Sequence, residues 1–258
     1  MTIWELAAVA LAGVAAGFVN TVAGSGTLIT FPTLLAFGVP PVSANVSNNI
    51  GLVPGSVSGA VGMRRELRGQ RQRAVRLGSA SVVGGTAGAV LLLVLPDEAF
   101  GAVVPALVGL GVLLVAVQPV ITRRVAAAAA SEPPRDRWWL WPGTLLTGVY
   151  GGYFGAAQGI ILVAVLGLGT HDTLHRNNAL KNVCAGLVNG VAAIVFILVV
   201  YLGATDAEID WLLVALIAAG SITGAQIGAR VGRRMPAAVL RAFIIVVGVS
   251  ALAVFVFR

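Results

Sequence analysis

The chain has 258 residues, 58% of them hydrophobic and only 10% charged, with a formal net charge of +7. A soluble domain carries about a quarter charged residues, so this composition excludes a soluble enzyme and marks an integral membrane protein. The single cysteine, Cys184, excludes an intramolecular disulfide and a cysteine-based metal cluster, and reads as a small buried filler.

The apolar amino-terminal stretch carries one early charge, Glu5, and no small-residue cleavage site. It therefore reads as a retained helix, not a cleaved signal. Residues 17–55 then form the first copy of a pattern that returns at 148–190. A gapless shift lays Gly26 on Gly159, Asn45 on Asn178 and Asn49 on Asn182. Each copy holds a glycine-broken apolar segment, a polar elbow and a helix whose asparagines, four residues apart, share one face. Duplicated, interrupted apolar helices are the sequence sign of a transporter's binding site.

Further apolar helices are expected over 42–63, 77–95 and 99–117, and again over 177–202, 211–229 and 237–257. Six arginines fall within 64–76, four within 123–137, and Arg230, Arg233 and Arg234 cluster later. Short arginine-rich loops mark the cytoplasmic side. They explain the positive charge without a nucleic-acid partner, and they put the acidic loops 96–98 and 206–210 outside. Residues 122–137, with an alanine run and Glu132-Pro133-Pro134, are expected to be a flexible cytoplasmic linker between repeats 1–121 and 138–258.

With those loops fixed, matching helices of the two halves run in opposite directions, so each half needs an odd number of crossings. Segments 3–37 and 138–169 must then each begin and end on one side, as hairpins of two short helices. The expected fold is an all-α integral membrane protein, an inverted repeat of two five-segment halves whose first two segments form a glycine-broken hairpin. In the alternative, each hairpin is one crossing, giving eight transmembrane helices and parallel halves.

Polar residues in apolar helices must face the protein interior or a wet cavity. Asn45 and Asn49 in the first copy, with Asn178 and Asn182 in the second, are candidate substrate ligands; helix–helix glue is the bland alternative for any one of them. Lys181 is the only lysine. It lies inside an apolar run and would attract an anion, or else snorkels to the nearby membrane surface. The breaks Ala23-Gly24-Ser25-Gly26-Thr27 and Gly155-Ala156-Ala157-Gln158-Gly159 should each start a short helix, with Gly24, Gly26, Gly155 and Gly159 as hinges. Free N–H groups at a helix start favour an anion, and Asn20, Ser25, Thr27 and Gln158 would add donors. All ten acidic residues lie in loops or near segment ends, which argues against a cation carrier. His171, Asp172 and His175 read as a solvated elbow. No nucleophile triad, phosphate loop or metal-ligand spacing occurs, so neither an enzymatic activity nor a cofactor is expected.

These residues resemble the TauE/SafE sulfite-exporter family of membrane permeases. The resemblance covers nearly the whole chain. It is carried by Gly17-Phe18-Val19-Asn20 with the first break, Phe31-Pro32 to Leu35, Gly38 to Ala44, Tyr150-Gly151-Gly152-Tyr153-Phe154-Gly155, and Asn178-Ala179-Leu180-Lys181-Asn182. Ser25 stands where the family commonly has glycine. The resemblance implies a permease for sulfite, an organosulfonate or a related small anion, exporting it across the plasma membrane, with the lipid bilayer as its surroundings. A membrane scaffold or assembly protein is the competing class, and it has no reason to place donors at repeat-related breaks.

Overall fold

The computed structural model describes residues 1–131, 136–170, 172–231 and 237–257. Among them the chain is helical and without strands. The first half contributes α1 (Ile3–Val22), α2 (Thr27–Ala36), α3 (Pro41–Gly62), α4 (Arg71–Val94) and α5 (Asp97–Ser131). The second contributes α6 (Leu140–Tyr153), α7 (Gln158–Thr170), α8 (Leu174–Tyr201), α9 (Trp211–Val231) and α10 (Ala237–Phe257). Among the described residues, α1, α4, α5, α8 and α9 are long and apolar enough to cross a membrane.

Local chemistry sets the helix starts. Thr2 and Glu5 close a capping box at α1, proline opens α3, and the Thr173 hydroxyl accepts the Arg176 N–H at α8. Two expectations need correcting. The flexible linker gives way to helix through Ser131, because the alanine run has the highest helix propensity available; residues 132–135 lie outside the described residues. The first hairpin is also unequal, since α1 has 20 residues and α2 only 10.

α3 and α8 lie side by side at the centre and run antiparallel. At one end, the Arg68 carbonyl before α4 accepts from Arg176 of α8, and Gln70 donates to the Arg176 carbonyl. At the other, Ser43 and Ser47 of α3 accept the N–H groups of Glu208 and Asp210, which follow α8. Around this pair the neighbours repeat. α1 packs on α9 as α6 packs on α4, α3 on α9 as α8 on α4, and α10 on α2 as α5 on α7.

The tightest of these contacts are made by glycine. A methyl group on Gly224 of α9 would lie 1.9 Å from the Val14 carbonyl oxygen of α1, and one on Gly88 of α4 would lie 2.1 Å from the Val149 carbonyl oxygen of α6. Gly13 and Gly17 on α1, and Gly148 and Gly152 on α6, complete the small-residue faces. In lipid, close backbone approach replaces hydrophobic driving force as the source of helix association.

At the arginine-rich end, Arg73 pairs with Asp136 (2.7 Å) and Asp172 (3.0 Å), Arg176 with Asp172 (3.0 Å) and Arg76 with Asp136 (2.8 Å). Asp172 is thus buried in a network and not part of a solvated elbow. Burial pushes its carboxyl pKa up, but hydrogen bonds from Arg176, the Thr173 N–H and Arg73 outweigh that and hold it below the usual value. At the opposite end Phe31, Phe100, Tyr153 and Phe154 meet edge to face, with Phe31 and Phe154 centroids 5.0 Å apart.

Gly224→Ala should therefore force α1 and α9 apart and lower the melting temperature in detergent, at a cost of about 2 kcal/mol or more. Gly109→Ala on α5, where the added methyl meets nothing within 4 Å, should be neutral or stabilise by up to about 1 kcal/mol. Equal melting curves for the two variants would contradict the glycine-packed interface.

Candidate functional site

The two breaks meet each other. Gly24 has φ 82° and Gly155 φ 76°, left-handed values that favour glycine. Ala157, at φ 60°, shares that region without glycine's freedom. The breaks touch at Gly24 and Gly159, where the Gly159 N–H donates to the Gly24 carbonyl (3.0 Å). A methyl on Gly159 would come within 2.4 Å of the Gly24 Cα. Gly26 lies against α1, where a methyl would approach the Ala16 carbonyl oxygen to 2.4 Å. All four expected hinge glycines thus sit at the breaks, and three are also points of close backbone approach.

The carbonyls left free where α1 and α6 stop receive donors from the opposite half. Asn45 on α3 donates to the Tyr153 carbonyl of α6 (3.0 Å), and Asn178 on α8 donates to the Thr21 carbonyl of α1 (3.1 Å). Asn182 reaches the same Thr21 carbonyl (3.5 Å) and the Met63 sulfur (3.2 Å). The Lys181 ammonium, 1% exposed, donates to the Asn20 carbonyl (2.8 Å) and the Thr21 carbonyl (3.3 Å). A helix C-terminus carries partial negative charge, so the buried lysine sits where that charge is greatest. It lies about 10 Å along α8 from the helix start, and its ammonium is turned into the bundle onto those carbonyls.

A small cavity adjoins this cluster, lined by Asn20, Gly24, Ser56, Gly159, Lys181 and Asn182 among others. At about 10 Å³ it is at the lower bound for one water molecule. Asn189 reaches Ser56 on its wall (3.4 Å). Thr21 also lines a much larger cavity, about 420 Å³, at the arginine-rich end.

The remaining expected ligands are placed as follows. The Asn20 side chain accepts from the Gly26 N–H (3.4 Å), bracing the first break. Ser25, Thr27, Asn49 and Gln158 are buried; the Ser25 hydroxyl, the Asn49 carbonyl oxygen and the Gln158 amide nitrogen have no partner among the described residues. Gln158 lies against Gly151. Thus Asn20, Asn178, Lys181 and Asn182 come together in one cluster, while Asn45 caps α6 in the other. At the helix starts, the N–H groups of Gly26, Leu28, Gln158 and Gly159 are already engaged within the protein. The helix ends, not the starts, hold the denser polar chemistry, because an uncapped carbonyl in a dry interior is costly.

Sequence reasoning missed Met63 and the Thr21 carbonyl, for which no side-chain pattern exists. It also passed over Arg241, although a cation within apolar α10 was a readable signal. His175 lies in α8 and lines the large cavity; His171 lies outside the described residues.

A helical bundle built of span-length helices, with two broken hairpins meeting at a buried cation, defines the class of multi-pass membrane transporters. The chain belongs to the TauE/SafE family: the family profile described as "Sulfite exporter TauE/SafE" matches residues 9–255. It is 25% identical over 248 residues to the "Probable membrane transporter protein ORF9" of Sinorhizobium sp, covering 95% of this chain and 90% of that protein. It is 26% identical over 244 residues to the "Probable membrane transporter protein YfcA" of Escherichia coli (strain K12), covering 90% and 82%. A "Probable membrane transporter protein" of Haemophilus influenzae is 27% identical over 228 residues, covering 84% and 81%.

Asn45→Ala and Asn178→Ala each strip a donor from a broken-helix end. Both should destabilise by similar amounts, about 0.5–1.7 kcal/mol, read as a fall in melting temperature in detergent. A marked loss from one with none from the other would show that the caps are not equivalent.

Proposed function

We propose that the protein is a permease for a small anion, such as sulfite or an organosulfonate, exporting it across the plasma membrane. The observation that carries this reading is Lys181, buried in a cluster that contains no carboxylate among the described residues. A lysine bonded only to neutral carbonyls has no anionic partner that an incoming anion must displace. One of its three donors is uncommitted. The substrate replaces the Asn20 and Thr21 carbonyls at Lys181, with Asn182 and Asn178 as neutral donors. Ser25, Thr27, Asn49 and Gln158, and Asn45 from the other cap, join as the breaks rearrange about Gly24, Gly26, Gly155 and Gly159. Sulfite enters as a substrate from the family's description.

The membrane arrangement proposed with it is an inverted repeat of residues 1–121 and 138–258, joined by 122–137, with the arginine-rich end in the cytoplasm. The antiparallel α3 and α8 and the reciprocal packing of α1–α9 and α6–α4 support that reading. One observation favours a second reading, a scaffold: Asn45, Asn178, Asn182 and Lys181 all donate to main-chain carbonyls, as purely structural groups would.

Transport separates the two readings. Proteoliposomes should carry radiolabelled sulfite or an organosulfonate, and Lys181→Met should lower flux about tenfold or more while folded protein remains in the membrane. Lys181→Arg should restore only part of it, because a planar guanidinium does not replace a compact point charge. Normal flux in Lys181→Met would leave the lysine a structural cap, and absence of flux in the unaltered protein would favour the scaffold.

Topology is tested independently. With Cys184 buried, single cysteines at Arg64 and Glu208, both exposed, should react with impermeant thiol reagents from opposite sides. Arg64→Cys should label from the cytoplasm and Glu208→Cys from outside; the reverse pattern would invert the orientation.

A further inference from the structure

The 420 Å³ cavity at the arginine-rich end is lined by Arg123 of α5, Arg241 of α10, and His175 and Asn178 of α8, with Gln118 and Thr122 beside Arg123. Among the described residues, no carboxylate lines it. Neither Arg123 nor Arg241 has an ion pair among the described residues, and the Arg241 Nε is buried without a hydrogen-bond partner. By contrast, Arg73, Arg76 and Arg176 pair with Asp136 or Asp172. A guanidinium without a carboxylate partner retains its charge and its donor fork, and a buried donor without a partner costs free energy until a ligand supplies one.

The floor of the cavity leads inward. Thr21 and Asn178 line it, and the Thr21 carbonyl accepts from both Asn178 and Lys181. Thr21 also lines the small cavity beside Lys181. Thr21 is therefore a wall common to the cationic vestibule and the small cavity beside the buried lysine.

We propose that Arg123 and Arg241 form an anion-capture site, in which a small oxyanion with two or more oxygens on one centre binds before it passes Thr21 to Lys181. This rests on the anion-permease reading. The guanidinium fork fits a paired-oxygen edge of sulfite or a sulfonate and fits chloride poorly. Two cations without carboxylate partners along one cavity also raise the local anion concentration, an effect that salt weakens.

The test is sulfite and methanesulfonate flux in proteoliposomes of the full chain, with substrate presented at the arginine-rich face, at low and high ionic strength. Arg241→Gln and Arg123→Gln should each raise KM for both anions about tenfold, with a far smaller change in Vmax, and should flatten the dependence on salt. Excess chloride at constant ionic strength should compete poorly. Arg124→Gln, an exposed neighbour that does not line the cavity, should leave KM unchanged. Arg123 is exposed, so its variant remains informative even if Arg241→Gln folds poorly. Unchanged KM in Arg123→Gln, or an equal rise in Arg124→Gln, overturns the capture site while transport stands. If the unaltered protein moves neither anion, the permease reading itself falls.

Discussion

The interaction on which this architecture depends is the capping of broken-helix ends across the two halves. A helix that stops inside an apolar bundle leaves carbonyl groups with neither helix nor water to satisfy them. Here Asn178, Lys181 and Asn182 on α8 serve the end of α1, and Asn45 on α3 serves the end of α6. Each broken-helix end is therefore capped by a residue from the opposite half of the chain. The central position of α3 and α8 and the contact of Gly24 with Gly159 follow from that requirement, because the caps reach their carbonyls only when both breaks meet between these helices.

The two caps are alike in placement but not in charge. The same shift that lays Asn45 on Asn178 lays Asn48 on Lys181. Asn48 accepts a hydrogen bond from Thr30, whereas Lys181 brings a full positive charge to the other site. A second asymmetry accompanies it. The arginine-rich end opens into a cavity that reaches Asn178 and is lined by Arg123, Arg241 and His175, while at the acidic-loop end four aromatic rings pack edge to face and loop 203–210 hydrogen-bonds onto α3. Cation and access thus lie toward the same end. Such differences between positions that the sequence repeat aligns give the two ends of the bundle different chemistry.

Glycine serves two purposes that energetics keep apart. At Gly24 and Gly155 it permits a backbone conformation that L-residues rarely take. On α1, α4, α6 and α9 it merely removes a side chain so that helices can touch. The spacing Gly13-xxx-Gly17, Gly84-xxx-Gly88, Gly148-xxx-Gly152 and Gly220-xxx-Gly224 was readable in the chain, but only the packed structure tells which glycines face a partner.

The sequence by itself determined the membrane class, the helical fold and the two breaks, and it singled out Asn45, Asn178, Lys181 and Asn182 as polar residues within apolar helices. Composition, hydropathic length and an imperfect internal repeat are one-dimensional properties, and they survive without knowledge of neighbours. Tertiary structure alone decided what those side chains touch. The sequence pointed toward free N–H groups at helix starts, yet the donors gather at helix ends, because the carbonyls they serve belong to the main chain and carry no residue signature. It also decided that Arg241 and Arg123, 118 positions apart in the chain, share one cavity with no carboxylate among the described residues that line it. Convergence of distant charges depends on how helices pack, which hydropathy does not encode.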